Sequence, residues 1–258
     1  EGAISHCPAC QSKQIRFFGT GTQRVEEELY KYFPGIKVIR MDVDTTNKKG
    51  AHQRFIQAFK NREADCLLGT QMIAKGLDFE HVTLVGVISA DSLLYIPDFR
   101  AAEKTFQLLT QVSGRAGRHQ LPGEVVIQTY TPEHYSIQLA AKHDYSGFYR
   151  EEMKARFLRG YLPFYYLALV TFSHEDLPYL VKIAQHSADW LRKQLDNTTQ
   201  VLGPVPSSIP RVKDRYRYQC MIKYKTEPKL TEILNQLLIK LEAEINRHQL
   251  TVQIDLRP

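Results

Sequence analysis

No stretch of the sequence reaches the roughly 18 consecutive apolar residues that a membrane-crossing helix needs. The first residues also lack the basic-then-apolar pattern of a signal peptide, so neither a membrane nor secretion is indicated and the expected compartment is the cytoplasm. Cysteine is scarce, with four among 258 residues, and Cys66 and Cys220 lie inside apolar strand-like runs. A disulfide framework is excluded by that usage, and these two read as core residues. There is no G-x-x-x-x-G-K-[S/T] loop, which excludes a self-contained P-loop nucleotidase. Tryptophan occurs once, at Trp190, in an amphipathic pattern that reads as core packing rather than a base-stacking platform.

What is present is length and positive charge. At 43% hydrophobic residues the chain can bury one large or two ordinary cores, and two domains are expected. Residues 1–149 carry 17 basic and 16 acidic side chains, and residues 150–258 carry 17 and 12, so +5 of the net +6 lies in the second part. A polyanionic partner is favoured over a small neutral one, the alternative being a basic surface that only keeps the protein soluble.

Strand-like and helix-like runs alternate through the first part. Strands are expected at 15–18, 37–43, 66–69, 83–88 and 124–130, with helices at 22–33, 52–59 and 100–112. Helices between strands mean parallel pairing and an α/β layer with helices on both faces, in which function gathers at the carboxyl ends of the strands. The rhythm changes over 141–165, where a charged run, YREEMKARFLRGY, precedes Pro163. Beyond it strands are expected at 166–172, 200–205, 216–225 and 251–256, helices at 177–195 and 230–248, and a Pro- and Ser-rich loop after 205. That βαββαβ order is the ferredoxin-like, or split βαβ, arrangement, with helices on one sheet face and the other face open to a ligand. Alternation sends Arg215, Arg217, Gln219 and Lys223 to one face and Tyr216, Tyr218, Cys220, Ile222 and Tyr224 to the other. The basic face is either a solvated surface or a nucleic-acid surface.

Three segments carry chemistry. QVSGRAGR, at 111–118, sets Arg115 and Arg118 among small residues, and guanidinium forks match phosphate oxygens. GTQMIAKGLDF, at 69–79, follows a strand, so that Gly69 and Thr70 can offer an amide and a hydroxyl to a phosphate. Its Asp78, flanked by Gly76, can accept from a ribose hydroxyl or from an arginine. FGTGTQRVEEEL, at 18–29, is a strand end, a Gly-rich turn and a helix start, where amides and the helix dipole favour phosphate. Near the amino terminus, HCPAC gives Cys7 and Cys10 the C-x₂-C spacing of half a tetrahedral zinc site, with His6 a poor substitute for the missing ligands.

In this order and on this frame the segments resemble the second RecA-like lobe of a superfamily-2 helicase, as its motifs IV, V and VI. ISADSLLYIPDFRAAEKTFQLLTQVSGRAGR and VLGPVPSSIPRVKDRYRYQCMIK narrow the resemblance to the PriA, or primosomal protein N′, family of bacterial replication-restart helicases. The resemblance covers almost the whole chain.

It implies a helicase lobe over 15–145, a carboxyl-terminal domain over 146–258 and, over 1–14, the remnant of a zinc-binding region. The implied activity is that of an ATP-dependent, Mg²⁺-requiring 3′-to-5′ DNA helicase acting at abandoned forks with primosome proteins and single-stranded-DNA-binding protein. Arg115 and Arg118 would reach the γ-phosphate, Arg118 as arginine finger, with Gln111 in polar support and Gly76 and Asp78 near the nucleotide. Thr20, Gly21, Thr70 and Gln71 would face the DNA backbone. In the family, zinc is held by several cysteine pairs, so Cys7 and Cys10 alone are expected to hold none. The carboxyl-terminal domain of the family resembles a small-subunit ribosomal protein and is implicated in binding branched DNA and the acidic tail of single-stranded-DNA-binding protein. RGYLPF stands where the family usually has Tyr-Pro-Pro, and the Asp98-Phe99-Arg100 match carries no assigned role. Arg215, Arg217 and Lys223 are nucleic-acid candidates from alternation alone.

The chain by itself is expected to be monomeric and neither to hydrolyse ATP nor to unwind DNA. A DNA- or partner-binding module without motor activity is the competing reading. A duplex translocase shares the arginine motif but accounts neither for the Pro-Asp-Phe-Arg segment nor for the βαββαβ tail.

Overall fold

The structure is a computed structural model that describes residues 21–46, 50–70, 73, 79–114, 116 and 122–256. The chain falls into two units, Glu1–Arg150 and Glu151–Pro258. In the first unit α1 (Thr22–Tyr32), β1 (Val38–Met41), α2 (Val43–Thr46), α3 (Ala51–Lys60) and β2 (Cys66–Gly69) come before β3 (Leu84–Val87), α4 (Asp91–Leu94), α5 (Ala101–Ser113), β4 (Glu124–Ile127) and α6 (Tyr135–Ala141). The division falls within α7 (Tyr145–Arg159). Strands β1 and β2 pair in parallel, as do β3 and β4, each pair forming a separate two-stranded sheet among the described residues.

Parallel pairing follows from the helices between the strands, as expected. Several elements are shorter than the apolar runs that announce them, because polar residues at the strand ends divert the backbone. β1 stops at Met41, where Asp42 and Thr45 exchange hydrogen bonds and start α2. β4 stops at Ile127, and the expected strand to 130 gives way to a segment bound by Asp91. The short helix α4 and the helix α6 had no expectation. The core here is modest: Ala90, Phe106, Leu109, Ile137, Ala140 and Phe148, with Phe106 stacked on Phe148 at 4.2 Å between centroids.

In the second unit the order is β5 (Tyr166–His174), α8 (Leu177–Gln194), β6 (Gln200–Val212), β7 (Arg215–Tyr224), α9 (Leu230–His248) and β8 (Thr251–Asp255). The four strands form one antiparallel sheet in the order β6-β7-β5-β8, which is the ferredoxin-like topology. Helix α8 starts at Asp176, whose carboxylate accepts from Tyr179 N at 2.9 Å as an N-cap. It buries Leu180, Ala184, Ala188 and Leu191 along one stripe. Helix α9 does the same with Leu230, Ile233, Leu234, Leu237 and Leu241, and ends where Gln249 turns left-handed at φ 54°. Against them lie Ala168, Val170 and Phe172 of β5 and Cys220 and Ile222 of β7, all fully buried, with Tyr216, Tyr218, Tyr224 and Trp190 packed around them. Each such large apolar side chain contributes about 1.5–3 kcal/mol by leaving water.

One expectation fails: the Pro- and Ser-rich segment after 205 is not a loop, since β6 runs through it to Val212. The strand tolerates Pro204, Pro206 and Pro210 because it lies at the sheet edge and is bulged twice, where missing N–H groups leave no ladder position empty. Gly203 sits at the first bulge with φ 90°, and a Cβ there would approach Gln219 O to 2.8 Å. The hairpin closes on Lys213 and Asp214, both at positive φ, as a two-residue turn between right-twisted strands requires.

Candidate functional site

The first motif region is built at the carboxyl ends of β1 and β2. Their register sets Met41 beside Gly69, so Asp42 and Thr70 leave adjacent strand ends. Only glycine fits at 69: a Cβ would come within 2.5 Å of Met41 O and 3.0 Å of Ile73 Cγ2. This close approach seats the exposed Thr70, whose carbonyl accepts from Ile73 N at 3.2 Å. Next to it, Asp42 Oδ2 accepts from Thr22 Oγ1 at 2.7 Å and Oδ1 from Thr45 N at 2.9 Å. The Thr22 hydroxyl first, then the Thr45 amide, hold the Asp42 carboxyl below its ordinary value despite its burial. The Arg40 guanidinium lies 3.0 Å from Asp42 Oδ2 and donates through Nη1 to Glu26 Oε2 at 3.0 Å. Gly21, exposed at the N-cap of α1, therefore opens a helix whose next residue is tied to a strand end.

The ends of β3 and β4 are joined by Asp91, which is completely buried. It accepts from Thr129 Oγ1 at 2.8 Å, Thr131 Oγ1 at 2.7 Å and Tyr130 N at 3.0 Å. Burial raises the Asp91 carboxyl, and these donors outweigh burial, leaving it below the ordinary value. A third carboxylate, Asp98, stands just before α5. It accepts from Arg100 N at 2.9 Å, Arg100 Nε at 3.0 Å and Lys104 Nζ at 2.6 Å. Burial raises Asp98 too, but Lys104 and Arg100 bring it down to about 2. The Arg100 guanidinium lies 4.9 Å from the Phe99 ring centroid, so the Asp98-Phe99-Arg100 segment fastens the first turn of α5. That helix carries Gln111, exposed in its last turn, and in sequence Arg115 follows after Ser113 and Gly114.

Of the residues expected to act here, Gly21, Thr70 and Gln111 are described, and all three are exposed at strand or helix ends. Thr20, Gln71, Gly76, Asp78, Arg115 and Arg118 lie outside the described residues, as do Cys7 and Cys10. Sequence reasoning missed Asp42, Thr45, Asp91, Thr129 and Thr131. The D-x-x-T spacing of Asp42 and Thr45 is a local turn signal that could have revealed the first pair. Asp91 and Thr129 are 38 residues apart and left no such signal.

In the second unit the alternation of β7 is observed, but its basic face is not what alternation suggested. Lys223 is buried, with 7% of its surface exposed. Its ammonium donates to Arg159 O at 3.0 Å and lies 3.9 Å from the Tyr161 ring centroid, so the residues after α7 cover that end of the supposedly open face. Burial pulls the Lys223 amine below its ordinary value. Arg215 donates to Ser173 O at 3.0 Å and to Gln249 O, and faces Glu175 at 3.6 Å. Both cations are engaged by the domain itself. Arg217, paired in register with Ser173, is half-buried and is the one of the three candidates without such anchoring among the described residues. Of the two strand cysteines, Cys220 is fully buried, which pushes its thiol up to about 12, and Cys66 is half-buried and likewise raised, first by burial and then by Asp65.

No helix among the described residues is long and apolar enough to cross a membrane. Residues 7–120 match the family model for the helicase conserved C-terminal domain, and residues 158–258 match that for the primosomal protein N C-terminal domain. The replication restart protein PriA of Bacillus subtilis is 60% identical over 100% of this chain, which covers 32% of that protein. The PriA proteins of Synechocystis and Haemophilus influenzae are 48% and 33% identical over 84% and 98% of the chain, covering 26% and 34% of their own lengths. The chain thus spans about a third of the length of the curated relatives it matches. With a helicase carboxyl-terminal lobe followed by the primosomal carboxyl-terminal domain, and identity to these relatives running through both, the chain belongs to the PriA family of replication restart proteins.

Proposed function

We propose that the chain is the part of an ATP-driven 3′-to-5′ DNA helicase that senses nucleotide and grips the strand, working at abandoned forks to start primosome assembly. The observation that carries this reading is the ordered run of GTGTQR, GTQMIAKGLDF and QVSGRAGR through a helicase lobe that continues into the primosomal domain. The position of Gly21, Thr70 and Gln111 at strand and helix ends supports it, because ligands of parallel sheets bind there.

The donor set of the third motif suits a triphosphate, since two guanidinium groups match the charge and the paired oxygens of a terminal phosphate. Arg115 and Arg118 would contact the γ-phosphate, Gln111 would support them, and Gly76 and Asp78 would lie beside the nucleotide. ATP with Mg²⁺ would supply the phosphoryl group to be transferred. The arginines bring positive charge to the place where negative charge develops, and their arrival on lobe closure couples hydrolysis to movement. Thr20, Gly21, Thr70 and Gln71 would face the DNA backbone, with Arg217 a further contact on the second unit. Zinc in the full-length protein would be held by several cysteine pairs, of which Cys7 and Cys10 would be one, since a closed site needs four ligands and this pair alone would hold none. We assign no step to it. Single-stranded-DNA-binding protein and primosome proteins are the proposed partners, with the protein acting in the cytoplasm as a monomer.

Arg118→Ala in the full-length protein is expected to lower DNA-stimulated ATP hydrolysis by about 10³–10⁵ while DNA affinity stays nearly constant. Turnover at the unsubstituted rate would overturn the assignment.

A further inference from the structure

We propose that Asp42, backed by Arg40, is a positioning residue that sets the start of α1 against a nucleic-acid backbone; this deepens the reading that the GTGTQR turn faces DNA and rests on it. Helix α1 buries none of its residues completely. Around it, Met41 and Ala51 are the only fully buried apolar residues among those described between 21 and 73. Apolar packing therefore fixes the helix only loosely, and directional polar contacts decide where its first turn points. Two side-chain links tie it to the end of β1: Thr22 Oγ1 donates to Asp42 Oδ2 at 2.7 Å, and Arg40 Nη1 donates to Glu26 Oε2 at 3.0 Å, one turn further along α1.

Asp42 can serve as a fixed reference because it is itself held. Only 8% of its surface is exposed. Its other oxygen accepts from Thr45 N at 2.9 Å, and its own amide donates to Thr45 Oγ1 at 3.0 Å. Thr45 Oγ1 in turn donates to Arg40 O at 2.9 Å, closing the loop onto the strand. The hydroxyl of Thr22 donates its one proton to this carboxylate and has none left for a phosphate. Its role is to orient its neighbours. At Gly21, by contrast, a Cβ would meet nothing within 4 Å among the described residues.

The test uses the chain itself and a fluorescein-labelled oligothymidylate, with affinity read by anisotropy. Thr22→Val keeps the shape of the side chain and removes the donor, while Thr22→Ser keeps the donor. Thr22→Val is expected to weaken binding by about five- to tenfold, the scale of one intramolecular hydrogen bond, and Thr22→Ser is expected to restore it. Gly21→Asp separates this inference from the reading beneath it: aspartate is a good N-cap and favours the helix, yet it places a carboxylate where phosphates are expected. If Gly21→Asp weakens binding and Thr22→Val does not, or if Thr22→Val and Thr22→Ser are equally impaired, positioning by Asp42 is wrong while the DNA-facing turn survives. If Gly21→Asp leaves affinity unchanged, the turn does not face DNA and both ideas fall.

Discussion

The two units are held together in different ways. The second has a single sheet of four strands and a cluster of 16 buried apolar residues drawn mainly from β5, β7, α8 and α9, with Val201 of β6 and Val252 and Ile254 of β8 packed against it. The first has two separate two-stranded sheets and, among the described residues, a cluster of six. What it has instead is a carboxylate at each turn that matters: Asp42 at the end of β1, Asp91 between the ends of β3 and β4, Asp98 at the start of α5. Apolar burial is non-directional and roughly proportional to area, whereas a hydrogen-bonded carboxylate fixes particular atoms at particular angles. A unit proposed to present phosphate-facing groups from strand ends gains from the second kind of restraint. The second unit, built on one sheet, relies on the first kind.

The comparison is broken most severely by removing apolar volume. Phe172, fully buried at the centre of β5, is expected to cost about 3–5 kcal/mol on replacement by alanine. Trp190, the single tryptophan, packs against that same cluster, so its fluorescence follows the second unit alone during denaturant unfolding. Phe172→Ala should move the Trp190 transition to lower denaturant and leave hydrogen exchange of the β1 and β2 amides unchanged. Equal loss in both units would show that they share one cooperative core.

Acid separates the units in the opposite sense. The carboxyls of Asp42, Asp91 and Asp98 lie below 3.8 in the folded chain. A depressed carboxyl stabilises the fold fully above its unfolded value, and that stabilisation is lost as pH falls through the folded value. For Asp98, with 18% of its side chain exposed, a change from 3.8 to about 2 corresponds to about 2 kcal/mol at neutral pH. In the second unit the lowered carboxyls are Asp189 and Asp196, both exposed, where solvent screening leaves little to lose. Between about pH 3.8 and about 2 the amide protection of the first unit should therefore fall before Trp190 fluorescence changes. The reverse order would sink the idea that polar restraints dominate the first unit.

The same contrast explains what could be read from the sequence. Helix α9 spans the expected 230–248, and β2 the expected 66–69, because apolar period alone specifies them. The βαββαβ order was legible for the same reason. The extent of β6 was not, because Pro204, Pro206 and Pro210 argue for a loop until the strand is known to lie at an edge. The carboxylate network of the first unit was hidden for another reason: Asp91 meets Thr129 and Thr131 only through parallel pairing of β3 with β4, and a single sequence carries no trace of such long-range partners. Arg115 and Arg118 are recognisable as a pattern of residue types, because local spacing alone carries that signal.

Lys223 shows how far alternation can mislead, and it supports the smallest of the expected effects. A strand's period of two puts it on the same face as Arg217, but says nothing about whether that face is covered. Here the ammonium is buried against Arg159 O and the Tyr161 ring, where it loses hydration and recovers a charge-assisted hydrogen bond and a cation–π contact. Methionine has a similar length, keeps the apolar stem in place and removes both the charge and its desolvation cost. Loss and relief nearly cancel, so Lys223→Met should change the stability of the second unit by no more than about 1 kcal/mol, measured through Trp190. DNA affinity and its salt slope should not move, because a cation buried against Arg159 O and the Tyr161 ring displaces no counterion from a phosphate. A salt slope reduced by about one in Lys223→Met would mean that the turn carrying Tyr161 opens to let this side chain reach DNA.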